Sequence, residues 1–307
     1  MVSLRASVLR NVIQAVVRRR NWGKGTKLVR RARRLFGIMR SLQFGRRLDA
    51  DRLPLAIAHI QGDDFNQAEN TGVILLYLHG GGYLGCSPAT HRPITAALAK
   101  LIPARVIVPD YRLAPENPFP SALDDAVATY RWILEQAGTA EHIYLAGDSA
   151  GGGLSLALMY KLKELKLPLP NKVALFSPWT DLTGSGESVK NNDGKCAMFR
   201  GENLDGFASH YAPKEIRDDP FISPLFGDLA DLPPMLIQVD SSEVLFDDSR
   251  RLHYNAIAAG VQSELQVSQG LFHVWQIYYG LIPEAHTSLQ AVARFLIQPH
   301  FETCQSS

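Results

Sequence analysis

The chain of 307 residues is poor in cysteine and has no long apolar run. Its three cysteines, Cys86, Cys196 and Cys304, are too few and too widely spaced for a disulfide framework or a metal site. No apolar stretch approaches the roughly 20 residues that a membrane-spanning helix needs. Arg5 and Arg10 interrupt the apolar residues at the start, which a secretory signal would keep continuous. We therefore expect a cytoplasmic protein without metal or disulfides.

Net charge is also small, at +2, but it is unevenly distributed. The first 50 residues hold 14 Lys and Arg beside one acid, Asp49, so the remaining residues are net acidic. Such a segment can bind anionic lipid or nucleic acid, or it can lie as a basic helix against an acidic body. The near-neutral total gives no reason to expect a nucleic-acid partner. We favour the helix against the body over contact with a membrane surface.

Short apolar runs alternate with helical patterns from about Leu53, which is typical of a mostly parallel sheet covered by helices. The predicted strands are Val73–Leu78, Arg105–Pro109, His142–Ala146, Val173–Phe176, Met235–Val239 and Glu264–Val267. The predicted helices are Ile94–Leu101, Ala122–Gln136, Gly151–Lys166, Ser249–Ala259 and Ser288–Ile297. We predict an α/β fold over residues 51–300, preceded by a helical segment at 1–50 and followed by a tail at 301–307.

Residues 184–226 break this alternation, with a polar stretch followed by scattered aromatics such as Phe199 and Phe207. We interpret them as an insertion that helps to roof a site. The alternative is an ordinary surface loop.

The strongest chemical signal is the run Gly-Asp-Ser-Ala-Gly at 147–151, between a predicted strand and a predicted helix. In this setting a sharp turn exposes the serine hydroxyl at a helix N-terminus, where the helix dipole favours developing negative charge. Ser149 is therefore the predicted nucleophile. The side chain of Asp148 should point away from the nucleophile, and we interpret it as a structural hydrogen-bonding group.

A second element is the run His-Gly-Gly-Gly-Tyr at 79–83, directly after the predicted strand Val73–Leu78. Glycines allow backbone N–H groups to approach a substrate oxygen, which is how an oxyanion hole stabilises a tetrahedral intermediate. His79 is interpreted as a brace of this loop.

An activated serine needs a base and an orienting carboxylate, which follow it in the chain order Ser, acid, His. His273 follows the last predicted strand and is the predicted base, whereas His253 and His286 stand in helical patterns. The carboxylate must come from the loop after the predicted strand Met235–Val239. The candidates by position are Asp240, Glu243, Asp247 and Asp248. Position alone does not separate them.

Together these motifs resemble those of the hormone-sensitive-lipase family of bacterial esterases, which have the α/β-hydrolase fold. The resemblance covers residues 70–297 and includes Asp-Tyr-Arg-Leu-Ala-Pro-Glu at 110–116 and Ser-Pro-Trp-Thr-Asp at 177–181. The acid loop of the family reads Asp-Pro-Leu-x-Asp, and here Glu-Val-Leu-Phe-Asp stands at 243–247. The resemblance implies that Glu243 is the acid, with Asp247 supporting it and Asp240 as the fallback.

The same resemblance implies that the backbone N–H groups of Gly81, Gly82 and Ala150 form the oxyanion hole. It further implies hydrolysis of short- to medium-chain carboxylic esters through an acyl-enzyme, without a metal or cofactor. The N-terminal helices would cap the pocket, and a homodimer is common among such esterases.

Three aromatic residues, Tyr83, Tyr111 and Trp179, follow predicted strand ends and are predicted to line the substrate pocket, with plain packing as the alternative. Further motifs, such as Ser-Pro-Ala-Thr-His-Arg-Pro at 87–93, look like those of the monoterpene ε-lactone hydrolase subgroup. Lactones are therefore an alternative substrate class. A non-catalytic ligand-binding protein on the same scaffold is a more distant alternative, because Ser149 and His273 are both present.

Overall fold

The computed structural model describes residues 2–18, 25–42, 52–57, 59–65 and 72–298. The predicted tail at 301–307 and Cys304 lie outside these residues. Among the helices in the described ranges, none combines the length and the apolar character needed to cross a bilayer.

The core is one eight-stranded sheet with the strand order β1-β2-β4-β3-β5-β6-β7-β8. β1 pairs with β2 and β2 with β4 in antiparallel fashion, and every other neighbouring pair is parallel. The strands are β1 (Arg52–Ile57), β2 (Ile60–Phe65), β3 (Ile74–Leu78), β4 (Arg105–Pro109), β5 (Ile143–Asp148), β6 (Lys172–Phe176), β7 (Met235–Asp240) and β8 (Ser263–Ser268). The predicted α/β fold with a mostly parallel sheet is confirmed.

Helices cover both faces of the sheet, which is why the central strands are almost continuously apolar. The helices are α1 (Leu4–Ile13), α2 (Thr26–Leu42), α3 (Pro88–Leu101), α4 (Ser121–Ala137), α5 (Ala150–Glu164), α6 (Ser188–Asn191), α7 (Gly201–Tyr211), α8 (Phe246–Ala258) and α9 (Pro283–Ile297). Helices α3 and α9 pack on one face of the sheet, and α4, α5 and α8 pack on the other.

The N-terminal segment lies on the body of the protein and is held there by its arginines. Arg10 donates to the carbonyls of Leu271 and Lys195, at 3.2 and 2.8 Å. Arg33, on α2, donates to the carbonyl of Leu84 at 2.7 Å and forms an ion pair with Glu116 at 2.6 Å. Part of the basic charge is therefore satisfied by the body.

The first two strands were absent from the predicted elements, and β2 shows why. It carries the polar sequence Ile-Gln-Gly-Asp-Asp-Phe, in which Asp63 and Asp64 are both buried. Arg92 pairs with Asp63 at 2.8 Å and Arg105 with Asp64 at 2.6 Å. Buried carboxylates are tolerated when they are paired in this way, but the partners are distant in sequence.

Candidate active site

Ser149 lies on the turn between β5 and α5 in a strained backbone conformation, with φ 51° and ψ −121°. A non-glycine residue rarely adopts a positive φ, and such strain is often found at functional positions. The turn is fixed by its neighbours: the Ser149 N–H donates to the Phe176 carbonyl at 2.9 Å, and the Ser149 carbonyl accepts from Trp179 N at 2.8 Å. The strand ends of β5 and β6 therefore hold the serine.

The glycines on each side of the turn are required by close backbone contacts. A Cβ on Gly147 would collide with the Gly151 carbonyl, and a Cβ on Gly151 would collide with the carbonyls of Leu78 and His79. The turn thus packs directly against the end of β3, where the glycine loop begins.

The glycine loop turns sharply beside the serine. Gly81 has φ 121° and Gly82 has φ 62°, both in the region that favours glycine. A Cβ on Gly82 would lie 2.6 Å from Phe207 of α7. Gly81, Gly82 and Ser149 line one cavity, and Ala150 is the first residue of α5. The structure thereby brings the predicted oxyanion residues next to the predicted nucleophile.

His79 braces this loop from behind. Its ring is fully buried and stacks on Tyr111, with ring centroids 4.3 Å apart. Its Nδ1 lies 2.8 Å from the Gly80 carbonyl oxygen, so Nδ1 carries the proton. Burial lowers the pKa of His79 to about 3, assisted by the neighbouring His91, and the ring is neutral at physiological pH. The carbonyl that it fixes belongs to the same peptide group as the Gly81 N–H.

His273 and Glu243 form a buried pair. His273 Nδ1 lies 2.5 Å from Glu243 Oε2, and the two side chains are 5% and 1% exposed. The other carboxylate oxygen, Oε1, accepts from Ser177 Oγ at 2.7 Å and from Asp240 N at 2.9 Å. Since Nδ1 faces the carboxylate as a donor, the Nε2 lone pair of a neutral ring is available to a nucleophile.

The other three candidate carboxylates have different partners. Asp240 accepts from the backbone N–H groups of Ser242 and Leu271, at 3.0 and 2.8 Å. It therefore connects the loop before His273 to the end of β7. Asp247 accepts from Ser188 N at 2.8 Å, and Asp248 accepts from Thr180 N at 2.8 Å. Of the four, the one that contacts His273 is Glu243.

Asp248 lies in a second, separate network. Burial, together with the nearby Asp181 carboxylate, raises the pKa of Asp248 to about 8. An acid whose pKa is higher in the folded than in the unfolded chain stabilises the fold at low pH, and that stability is lost as the pH rises towards 8.

We expect Asp248→Asn, which resembles the protonated acid, to raise Tm relative to the wild type by several degrees at pH 9 and by less at pH 5. Thermal unfolding at both pH values checks this, and an equal difference at the two would contradict it.

The cavity containing Ser149 and His273 occupies about 670 Å³ including its opening, and its wall is mainly apolar. The insertion contributes Met198, Phe199, Leu204 and Phe207 to this wall, and α2 contributes Phe36. The ring of Phe199 meets the His273 ring edge to face, with centroids 5.3 Å apart. An apolar wall around a few polar groups is typical of a small-molecule site.

Two of the three aromatics predicted to line the pocket lie elsewhere. Trp179 is part of the cavity wall. Tyr83 is instead buried behind the loop and stacks on Tyr211, with centroids 3.7 Å apart, and Tyr111 stacks on His79. Packing decides the orientation of both tyrosines, so the prediction that they contact substrate is corrected to a supporting position behind the glycine loop.

Several wall residues were not among the predicted site residues. Phe36 stands on an N-terminal helix that the resemblance places over the pocket, but the apolar pattern does not show which of its residues reaches the wall. Leu245, Val274 and Ile277 adjoin the predicted acid and base. His91 and Cys86 also line the cavity. The sequence motif at 87–93 contains His91, but nothing local in it indicates that the His91 side chain reaches the site.

Comparison with known proteins gives consistent findings. A model of the alpha/beta hydrolase fold family matches residues 75–277. An acetyl-hydrolase of Streptomyces hygroscopicus is 38% identical over 242 residues, covering 79% of this chain and 81% of the relative. A crystal structure of an esterase from the bacterial hormone-sensitive lipase family superposes with a TM-score of 0.88 at 33% identity, covering 96% of this chain and 98% of the other. A hormone-sensitive lipase from a metagenome library gives a TM-score of 0.86 at 36% identity, covering 94% and 95%.

Proposed function

Because the chain belongs to the alpha/beta hydrolase fold family and, within it, to the hormone-sensitive-lipase family of bacterial esterases, it hydrolyses carboxylic esters, and we propose that Ser149, His273 and Glu243 are its catalytic triad. The observation that carries this proposal is the 2.5 Å contact of Glu243 with Nδ1 of His273, whose ring lines the same cavity as the strained Ser149. A base oriented in this way has its Nε2 free to accept the serine proton.

The reaction then takes two steps. Ser149 Oγ attacks the ester carbonyl carbon while His273 Nε2 takes its proton, and the negative charge on the carbonyl oxygen is held by the N–H groups of Gly81, Gly82 and Ala150. The intermediate collapses, and the alcohol leaves with the proton from His273. A water molecule, deprotonated by His273, then attacks the acyl-enzyme and releases the acid and Ser149. Glu243 stabilises the imidazolium in both steps, and no cofactor takes part.

We propose short- to medium-chain esters as the substrates. The aromatic roof formed by Phe36, Phe199 and Phe207 limits the space above the serine, and the mainly apolar wall suits an alkyl or aryl group rather than a charged one. The name of the Streptomyces relative, an acetyl-hydrolase, supports a small acyl group. Lactones are the alternative substrate class and belong in the same assay.

Chain-length preference tests this proposal. Because the Phe207 ring lies beside Gly82 in the cavity wall, we expect Phe207→Ala to enlarge the cavity. The ratio of kcat/KM for p-nitrophenyl octanoate over acetate should rise about tenfold, in line with the ~1–3 kcal/mol that a methylene is worth in such a pocket. Steady-state assays from acetate to palmitate measure this. Phe221→Ala, a change in the same insertion at a ring that contacts Lys161, is the matched control. An unchanged ratio in Phe207→Ala would contradict the assignment of the roof.

We also propose a cytoplasmic location and a homodimer. Cys86 and Cys196 are free thiols, which suits a reducing compartment.

The proposed homodimer is supported by the edge of the sheet. β8 is the last strand of the sheet, and beside it Tyr254, Ile257 and Val267 are 60%, 52% and 43% exposed. Exposed apolar groups at a sheet edge favour pairing with a second copy. Light scattering after size exclusion tests this, and a monomer at micromolar concentration would contradict it.

A further inference from the structure

A buried histidine and a buried carboxylate meet directly behind the glycine loop. His91, on α3, and Asp148, the residue before Ser149, are each 2% exposed. His91 Nε2 lies 3.2 Å from the Asp148 carboxylate. Both side chains also form part of the cavity wall. The proposed ester hydrolysis assigns neither of them a role.

The contacts of Asp148 are those of an ionised carboxylate. Asp148 Oδ1 accepts from Tyr77 OH at 2.8 Å and from Gly80 N at 2.9 Å. Burial alone would raise the pKa of Asp148, but the charge and hydrogen bond of His91, with the hydrogen bond of Tyr77, outweigh it and lower the pKa. An ionised carboxylate only accepts hydrogen bonds, so the nitrogen of His91 that faces it is a donor.

The other ring nitrogen of His91 is also a donor, because of Thr90. Thr90 Oγ1 gives its single proton to the Ser87 carbonyl at 2.7 Å and accepts from Ser87 N at 3.0 Å. The same oxygen lies 2.9 Å from His91 Nδ1. With the hydroxyl proton directed to Ser87, this contact is a hydrogen bond only if Nδ1 carries a proton. His91 Nδ1 also lies 3.4 Å from the Ser87 carbonyl oxygen, which can only accept. In this arrangement both ring nitrogens of His91 face acceptors.

We propose that His91 is an imidazolium in the resting enzyme and that, as a positioning residue, it neutralises the Asp148 carboxylate beside the oxyanion hole. The inference rests on the proposed function, because it takes Gly81, Gly82 and Ala150 as the oxyanion donors. The two charges are both buried, and a buried charge without its partner is strongly destabilising.

The location of the pair gives it a role in the reaction. Asp148 anchors the Gly80 N–H, one residue before the first oxyanion donor, and is itself joined to Ser149. A carboxylate here without compensation would repel the negative charge that develops on the substrate oxygen, and the repulsion would be poorly screened in this water-poor wall. With His91 charged, the wall keeps its anchor for the loop and has no net charge. His79, neutral and hydrogen-bonded to the Gly80 carbonyl, completes the support.

The protonation state can be observed directly in the wild type, without relying on turnover. In NMR spectra of protein with ¹⁵N-labelled histidine at pH 8, we expect one histidine with both ring nitrogens protonated, and this signal should be absent from His91→Gln. Spectra without an imidazolium at pH 8 would overturn the proposal and would leave the proposed triad untouched.

A double-mutant cycle tests the role in catalysis. We expect His91→Gln, which can keep a hydrogen bond to Asp148 but removes the positive charge, to lower kcat for p-nitrophenyl acetate about 10- to 100-fold while KM changes less than about threefold. Adding Asp148→Asn removes the uncompensated charge, so the double variant should regain at least about tenfold of that loss. His142→Gln, an exposed histidine outside the cavity wall, is the control.

The outcomes separate electrostatics from folding. Counting active sites with a fluorophosphonate and measuring Tm corrects each variant for unfolded protein. If His91→Gln alone fails to fold, recovery of folding and turnover in the double variant supports the proposal that His91 neutralises the Asp148 carboxylate. Wild-type kcat in His91→Gln, or a double variant no better than His91→Gln, would overturn the proposal. Turnover that survives in Ser149→Ala would contradict the proposed triad and not the proposed charge on His91.

Discussion

Ser149→Ala should lower kcat for p-nitrophenyl acetate by at least about 10⁴-fold, because the proposed acyl-enzyme forms on the Ser149 hydroxyl. The strained turn is held by backbone contacts to Phe176 and Trp179, which alanine retains, so folding and ester binding should be preserved. Steady-state kinetics with a calorimetric Tm checks both points. Ser209→Ala, an exposed serine on α7, is the matched control and should behave as the wild type. Substantial turnover in Ser149→Ala would rule out the proposed nucleophile.

Glu243→Gln should lower kcat about 10³- to 10⁴-fold with little change in KM, because an amide facing Nδ1 no longer fixes the tautomer that leaves Nε2 free. The fold should tolerate the change, since the amide oxygen can still accept from Ser177 and from the Asp240 N–H. Glu243→Asp should retain more activity than Glu243→Gln, because a carboxylate remains although its reach is shorter. Kinetics of the two variants over pH 6–9 provide the measurement.

Asp240→Asn tests whether Asp240, and not Glu243, is the acid of the triad. Asp240 bonds to Leu271 N and holds the loop before His273, so its loss should cost less than about tenfold in kcat, together with some stability. A larger loss in Asp240→Asn than in Glu243→Gln would transfer the role of the acid to Asp240.

The proposed nucleophile and the glycine loop could be placed from the sequence because their signals are local. A Gly-x-Ser-x-Gly turn needs only a strand before it and a helix after it, and both are visible as patterns within about 20 residues. The proposed acid was harder to assign. Four carboxylates lie at the end of β7 or after it, and the sequence cannot show that the Asp240 side chain turns towards Leu271 while Glu243 reaches His273.

The roof of the cavity could be predicted only as a region. The aromatic insertion at 184–226 does contribute Phe199 and Phe207 to the wall, but Phe36 reaches it from a helix more than 150 residues away. Tyr83 and Tyr111 show the converse, since an aromatic at a strand end can turn either to the pocket or behind the loop. Contacts between distant segments decide such orientations, and local patterns carry no information about them.

Trapping the acyl-enzyme tests most directly whether Ser149 is the nucleophile. The protein is mixed with p-nitrophenyl acetate, quenched with acid within milliseconds to seconds, and analysed by intact mass and peptide mapping, with a fluorophosphonate as the stable counterpart. We predict one acetyl group per chain, located on Ser149, with slower labelling in Glu243→Gln and none in Ser149→Ala. An adduct on another residue, or rapid hydrolysis without any adduct to either reagent, would contradict Ser149 as the nucleophile.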